Sequence, residues 1–360
     1  MNRTMKKLIA GLLFTMMLLT LAACSSTPGT APNETGTAPT EGSTQQQTYN
    51  IKFALDEPQG SCQDVYALKF KELVEAKSEG RVTLQIFYLG QLGSGTSQAE
   101  LIQNGTVEFG FISCGDVGAM VPEGNIFGMP YIFPSNLEKA KEFLYNSEVI
   151  NTTIVNCFGE KNLHVIDWLD EGYMQWTNSV RPITSTADMK GVKMRVMAAP
   201  ILTAAYRAYG ADPVTIPITE LYSALQLNMA EGQVNPVEYI ENMKYYEVQK
   251  YLTLANSDFY VASLQFNKDY WGKLPEDIQN IFLEAVQETR PYYAAEQRKL
   301  IDAATVNLKE YGMEVNELSD EAVADFRELA KGAVETFYEV GGENAKQLYA
   351  DFVAEAELYY

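Results

Sequence analysis

Apolar residues along the chain change their spacing in a regular order. Tyr49-Asn-Ile-Lys-Phe-Ala54 alternates, the period of a half-buried strand; Asp64 to Ser78 carries Val65, Leu68, Phe70, Leu73 and Val74 at helical spacing; and Arg81 to Tyr88 alternates again. A short helix over Thr96 to Asn104 and a third strand over Val107 to Ile112 follow. Strand, helix, strand, helix, strand is the order of a parallel sheet with right-handed crossovers, and such sheets bind ligands beyond the carboxyl ends of their strands. Asp56, Ser113 and Cys114 fall at those ends.

The pattern continues with helical spacing over Leu137 to Tyr145 and Val149 to Phe158, then a strand over Leu163 to Trp168 in which His164 reads as structural. Beyond Glu171 the order starts anew. Met174 to Asn178 and Lys193 to Val196 are extended, Pro200 to Tyr209 is a helix opened by proline and stopped by Gly210, and Asp212 to Thr215 is a strand. A helix over Ile218 to Leu227 leads to Gln233-Val-Asn-Pro236, where the proline pushes Asn235 into an extended conformation. Tyr260 to Phe266 is a further strand. From Leu274-Pro275 the helical period runs to about Tyr311, roughly 50 Å if straight, with Pro291 placed to bend it. Helices over Asp320 to Val340 and Glu343 to Leu358 close the chain.

The first residues form a different pattern. Arg3, Lys6 and Lys7 precede an apolar run, Leu8 to Leu21, too short for a comfortable membrane span and fitting a secretory signal. The run ends in Leu21-Ala-Ala-Cys24, which resembles a bacterial lipobox, so Cys24 is expected to be acylated and to become the mature N-terminus. Residues 24–48 are rich in Thr, Pro, Gly, Ser and Gln, with nothing to offset ordering entropy, and read as a flexible tether. The remaining three hundred or so residues exceed what one compact core holds, so two domains are expected.

Charge narrows the chemistry. Removing the three cations before Cys24 moves the net charge from −20 to −23, which argues against nucleic acid and anionic membrane as partners. It does not exclude an anionic ligand, because scattered acids are screened beyond roughly 10 Å whereas a desolvated arginine acts at contact range. With one histidine and no Cys-x-x-Cys, a His-based triad or zinc cluster is almost impossible to assemble. An extracytoplasmic hydrolase would need a carboxylate pair, for which Asp56 and Glu238 are the candidates. An exported compartment permits a disulfide between Cys62 and Cys114, and two separate buried thiols fit as well; Cys157 has no assigned role.

One guanidinium stands out against this acidic background. Ile183 to Val196 is a polar connection turning at Gly191 and leading into a strand that presents Arg195, a planar fork of donors that matches a carboxylate and stays charged without water. Ala187-Asp-Met-Lys-Gly-Val-Lys-Met-Arg-Val196 resembles the "dLkGlKiRvp" segment of the DctP-type solute-binding proteins of TRAP transporters. Gly210-Ala-Asp-Pro-Val-Thr-Ile-Pro217, Glu220-Leu-Tyr-Ser-Ala-Leu-Gln226 and Glu231-Gly-Gln-Val-Asn-Pro236 are similar to that family's next blocks, in order. Gly90-Gln-Leu-Gly93 and Pro122 to Pro134 match earlier ones, so the resemblance runs from about Tyr49 to near the C-terminus.

The resemblance implies a periplasmic-binding-protein-like α/β clamp: two domains, each a mostly parallel sheet flanked by helices, with a long bent helix across both. Domain I is expected over residues 49–172 and 262–300, and domain II over 173–261 and 301–360. Carried over position by position, Arg195 is the carboxylate-binding arginine, Asn235 a polar ligand contact, and Gln175 the position where many members hold a second arginine. Asp56, Ser113, Ile218 and Tyr239 complete the expected site. Loss of the second cation favours a monocarboxylate with hydroxyl or keto groups, such as a sugar acid, over a compact dicarboxylate; members that pair a glutamine there with sodium have acidic and tryptophan partners not evident around Asn235, so neither a metal nor a cofactor is expected. The implied protein is a monomer, tethered outside the cytoplasm through Cys24, that delivers its solute to the TRAP membrane subunits. A binding protein reporting to a receptor kinase is the alternative within the same fold.

Overall fold

A sixteen-residue strand, β4, Leu163–Asn178, holds the molecule together. In the computed structural model, which describes residues 47–360, β4 belongs to two half-sheets at once. Cys24, the signal and nearly all of the expected tether lie outside the described residues. Around β4 are β1 (Tyr49–Ala54), β2 (Val82–Phe87), β3 (Phe109–Ser113), β5 (Lys193–Val196), β6 (Asp212–Thr215), β7 (Gly232–Pro236), β8 (Tyr251–Leu254), β9 (Phe259–Asn267) and β10 (Glu314–Glu317). The order is β2-β1-β3-β9-β4-β7-β5-β6, with β8 pairing β4 and β10 pairing β8.

The first half of β4 runs antiparallel to β9, from Leu163 opposite Asn267 to Tyr173 opposite Phe259. Its second half runs antiparallel to β7, from Met174 opposite Pro236 to Asn178 opposite Gly232. β1 is parallel to β2 and β3, and β5 is parallel to β6 and β7, so each lobe has the expected parallel core and is closed by an antiparallel strand. The change of partner occurs at an irregularity between Asp170 and Tyr173, where Gly172 has φ +78°. A Cβ there would sit 3.2 Å from Ile301 Cδ1 and would need a left-handed backbone, so glycine suits the crossing twice over.

Four helices matter for the site: α1 (Cys62–Lys77), α2 (Thr96–Gln103), α3 (Val237–Asn242) and α4 (Glu276–Glu310). Ser61 caps α1, its hydroxyl accepting from Asp64 N at 3.2 Å. The helix then buries Tyr66, Phe70 and Val74 against Phe53, Phe109 and Phe111 of the sheet. α4 continues through Pro291 over all thirty-five residues. Its first half adds Ile278, Phe282 and Val286 to the lobe I core, and its second half adds Ala304 and Leu308 to a lobe II core containing Leu221, Ile240 and Leu252. The apolar face of one helix thus ties both lobes.

Several local expectations change. Ile218 to Leu227 opens as a 3-10 turn before its α-helix, Val149–Ile154 is a π-helical turn, and the Asp320 to Val340 span is divided by a 3-10 turn at Lys331–Ala333. β8 and β10, four residues each, had no visible alternation; they exist because they pair with one another across the sequence. Cys62, Cys114 and Cys157 are free thiols, so the open question of a disulfide resolves to separate groups, the first two buried.

Candidate functional site

Strand ends from both lobes converge on Arg195. β5 is buried at Met194, Arg195 and Val196 and exposed at Lys193, so the strand carries its arginine inward from a wet edge. The guanidinium is 3% exposed, donates from Nε to Ile216 O at 2.8 Å, and keeps Nη1 buried with no acceptor. Burial pulls its pKa down, while Tyr245, Asp116, Tyr239 and Asp56 oppose this and favour the charged form. A buried cation with an unused donor is poised for an anion supplied from outside.

A small inner chamber of about 30 Å³ adjoins it, lined by Asp56, Glu57, Ser113, Asp116, Arg195, Met197, Ile218, Asn235, Tyr239 and Tyr260. An outer chamber of about 220 Å³ shares Asp116, Arg195 and Ile218 and is walled by Ser94 to Ser97 and by Thr215 to Pro217. The lobes are in contact across them. Ser113 Oγ lies 3.7 Å from Met197 Sδ, Asn242 Nδ2 donates to Gln59 O at 3.3 Å, and a Cβ on Gly115 would come within 2.4 Å of Met197 Cε. The inner space is about that of one water molecule, so a solute of several heavy atoms enters only when the lobes part.

Of the seven expected site residues, Arg195, Asn235, Asp56, Ser113, Ile218 and Tyr239 line this inner chamber. Gln175 does not. It stands opposite Asn235 in the β4–β7 ladder, but its amide is consumed elsewhere: Oε1 accepts from Ala255 N (2.7 Å) and Asn256 N (3.0 Å), and Nε2 donates to Asn256 Oδ1 (2.7 Å) and Tyr173 O (3.1 Å). Asn256 has a left-handed φ of +44°, and the glutamine clamps that turn. Asn235 instead donates to Gln233, which passes the chain to Thr177 and Gln249. This buried relay fixes the amide that faces the chamber.

Glu57, Asp116, Met197 and Tyr260 also line the chamber and were not anticipated. Three had a signal: Glu57 and Asp116 follow the carboxyl ends of β1 and β3, and Met197 stands two residues after Arg195, on the same face by strand alternation. Tyr260 had none, because it depends on β9 pairing with β3 and β4. Gly95 N donates to Asp56 Oδ1 at 3.0 Å. Burial pushes the Asp56 carboxyl well above its ordinary range, helped by Asp116 and Glu57 and opposed by Gly95 N–H and Arg195. Burial likewise raises Asp116, with Arg195 opposing. Glu238, paired with Asp56 in the hydrolase alternative, does not line the chamber; it faces Cys62 and Glu171.

A larger cavity of about 560 Å³ lies elsewhere, lined by Tyr131, Tyr173, Asn256, Glu317, Asp320, Arg327, Glu328 and Lys331 among others. Its two cations are outnumbered by three carboxylates, and no carboxyl end of β1, β3, β5 or β7 reaches it. Position relative to the strand ends decides for the smaller space around Arg195.

Residues 53–340 match the family model for DctP, bacterial extracellular solute-binding protein family 7. The chain is 31% identical over 319 residues to the ectoine/5-hydroxyectoine-binding periplasmic protein UehA of Ruegeria pomeroyi, covering 87% of this chain and 93% of that protein. It is 32% identical to the ectoine-binding periplasmic protein TeaA of Halomonas elongata, covering 87% and 92%. The structure of the ectoine-binding protein of the Halomonas elongata TeaABC TRAP transporter superposes with a TM-score of 0.82 at 30% identity, covering 86% of this chain and 99% of that one. The sugar acid binding protein DctPAm of Advenella mimigardefordensis, in complex with galactonate, gives 0.82 at 26% identity, covering 87% and 99%. With the family model matched over residues 53–340 and relatives above 30% identity along most of the chain, the chain belongs to the DctP family of extracytoplasmic TRAP-transporter solute-binding proteins.

Proposed function

We propose that this protein, anchored through acylated Cys24, captures a small carboxylate between its lobes and delivers it to TRAP membrane subunits. Arg195 takes the carboxylate, with Asn235, Ser113, Ile218 and Tyr239 shaping the remainder. The hinge runs through β4 at Gly172 and the start of β9, giving domain I over residues 49–172 and 262–300 and domain II over 173–261 and 301–360. The observation that carries the reading is the buried Nη1 of Arg195, a charged donor without an acceptor inside a closed interface.

The same chamber narrows the solute. A carboxylate on Arg195 occupies the cation that, among the described residues, opposes the burial of Asp56 and Asp116, both of which face the chamber. Gly95 N–H favours ionised Asp56. Burial holds both carboxyls towards their neutral form, and a solute that also bears a cationic nitrogen would pair with them as they ionise, so a zwitterion is favoured over the sugar acid anticipated when Gln175 was counted in the site. The ectoine-binding relatives support this choice. A thermal-shift screen tests it, since a ligand at 100 times its Kd adds about 2.7 kcal/mol. Zwitterionic acids should raise Tm more than galactonate does; galactonate alone raising it would reverse the assignment. Separately, lipid-free wild-type protein by mass spectrometry would remove the anchor from the proposal.

A further inference from the structure

Three carboxyls meet at the edge of the chamber, and among the described residues none of them has a cation partner. Glu57 follows β1 in lobe I, Glu171 sits on β4 just before the Gly172 crossing, and Glu238 is in the first turn of α3 in lobe II. They are 3%, 1% and 5% exposed. Glu171 is within hydrogen-bond reach of both Glu57 and Glu238. As carboxylates, all four oxygens of Glu171 and Glu238 would be buried without a donor. A carboxyl meets a carboxyl through a hydrogen bond only when one carries a proton, and Glu171 with a single O–H can serve one neighbour at a time. The two contacts therefore require at least two protons among the three groups.

The surroundings offer no other way to neutralise them. From α1 and its cap, Gln63 N donates to Glu57 at 3.4 Å, the Ser61 hydroxyl faces Glu57, and the Cys62 thiol faces Glu238. β4 adds Asp170 beside Glu171, and α3 adds Glu241 beside Glu238, together with Tyr239. β9 contributes Tyr260 and α4 contributes Tyr293. Asp56 lies next to Glu57. Each of these titratable neighbours is an acid. The nearest cations are engaged with others, Arg195 with Asp56 and Asp116 and Lys141 with Asp170. An unpaired charge in such a place is too costly to keep, and the group takes up a proton instead.

We propose that Glu57, Glu171 and Glu238 form a proton-loaded latch: one carboxyl from each lobe and one from the shared strand bond together only when protonated, so closure takes up protons. When the lobes part, Glu57 and Glu238 separate and regain water. Burial holds all three above the ordinary carboxylate range in the closed form, consistent with this arrangement. The sign follows. Below the ordinary carboxylate range both forms are protonated and closure is undiminished. As pH rises above it the open form ionises first, and closure weakens until the closed form also gives up its protons. Acid favours the closed trap and alkali the open one, whatever the solute.

Two measurements on the full mature chain test this without a ligand. Infrared difference spectroscopy reads the C=O band of protonated carboxyls, and small-angle scattering reads the radius of gyration. Wild type should show a protonated-carboxyl band at neutral pH that fades on alkalinisation as the radius grows. Glu171→Gln with Glu238→Gln supplies permanent donors in the protonated shape; it should lack that part of the band and stay compact at alkaline pH. If the double variant fails to fold, Glu171→Gln alone gives the same two readouts. Spectra of wild type and variant that coincide at neutral pH would overturn the latch, and so would a wild-type radius that ignores pH or a variant that opens with pH as wild type does. Because no solute enters, failure here leaves the Arg195 assignment standing, and failure of that assignment leaves the latch standing.

Discussion

Arg195 is buried and Arg290 half-buried, and the two arginines are met in opposite ways. Arg290, on α4, donates from Nε (2.7 Å) and Nη2 (2.5 Å) to Asp167 Oδ1, while Tyr66 Oη donates to Oδ2 at 2.5 Å. Its guanidinium also lies 4.6 Å over the Tyr145 ring. The counter-ion of Arg290 is thus part of the chain, and the group serves to fix α4 to β4. Arg195 has one backbone carbonyl and an idle Nη1. The difference teaches that a cation whose charge is met within the chain serves the fold, whereas one with an unmet donor at the strand ends between the lobes is the candidate for a solute.

Removing the two guanidiniums should separate these roles. Arg195→Ala should weaken solute binding by about two to four orders of magnitude, the 3–5 kcal/mol lost when one member of a desolvated pair is deleted, without lowering the Tm of the unliganded protein. Arg195→Lys should recover only part, since an ammonium lacks the fork. Calorimetry with a solute from the screen measures both, and wild-type affinity in a folded Arg195→Ala protein would sink the contrast.

Asp258 extends the comparison to a buried charge with no cation. Burial pushes its carboxyl up to about 7 against the pull of the Ser257 hydroxyl. Because the folded value is raised, stability is complete below the ordinary carboxylate range and is lost as pH rises through about 7. Asp258→Asn should remove that slope, at most about 4 kcal/mol at roughly 1.4 kcal/mol per pKa unit. Urea melts across pH read it, and equal slopes in the two proteins would refute the assignment.

Arg290→Ala should be the mirror of Arg195→Ala: about 3 kcal/mol of stability lost, because Asp167 is left buried without its partner, and little change in solute affinity. A large affinity loss with unchanged stability would erase the distinction between the two arginines. Gln175→Ala should show the smallest effect. It unclamps the turn at Ala255 and Asn256 at a cost of about 1–2 kcal/mol in stability and leaves binding nearly intact. Affinity falling in its place would return Gln175 to the solute.

How much of this was legible depends on the range of the interaction involved. The amino-acid sequence by itself determined most strands and helices of both lobes, though not β8 and β10, together with the presentation of Arg195 on β5 and the strand-end positions of Asp56 and Ser113, because alternation, helical spacing and capping act within a few residues. The Glu231 to Pro236 block likewise pointed to Asn235 through resemblance. Only the tertiary structure decided which way Gln175 turns, since a side chain on a shared strand is claimed by whichever neighbour completes its hydrogen bonds, here a turn eighty residues away. It alone paired β8 with β10, placed Tyr260 in the chamber, and brought Glu57, Glu171 and Glu238 to one point from two lobes and the strand between them. Such meetings depend on chain closure over long separations, and nothing in the local pattern of any one segment records them.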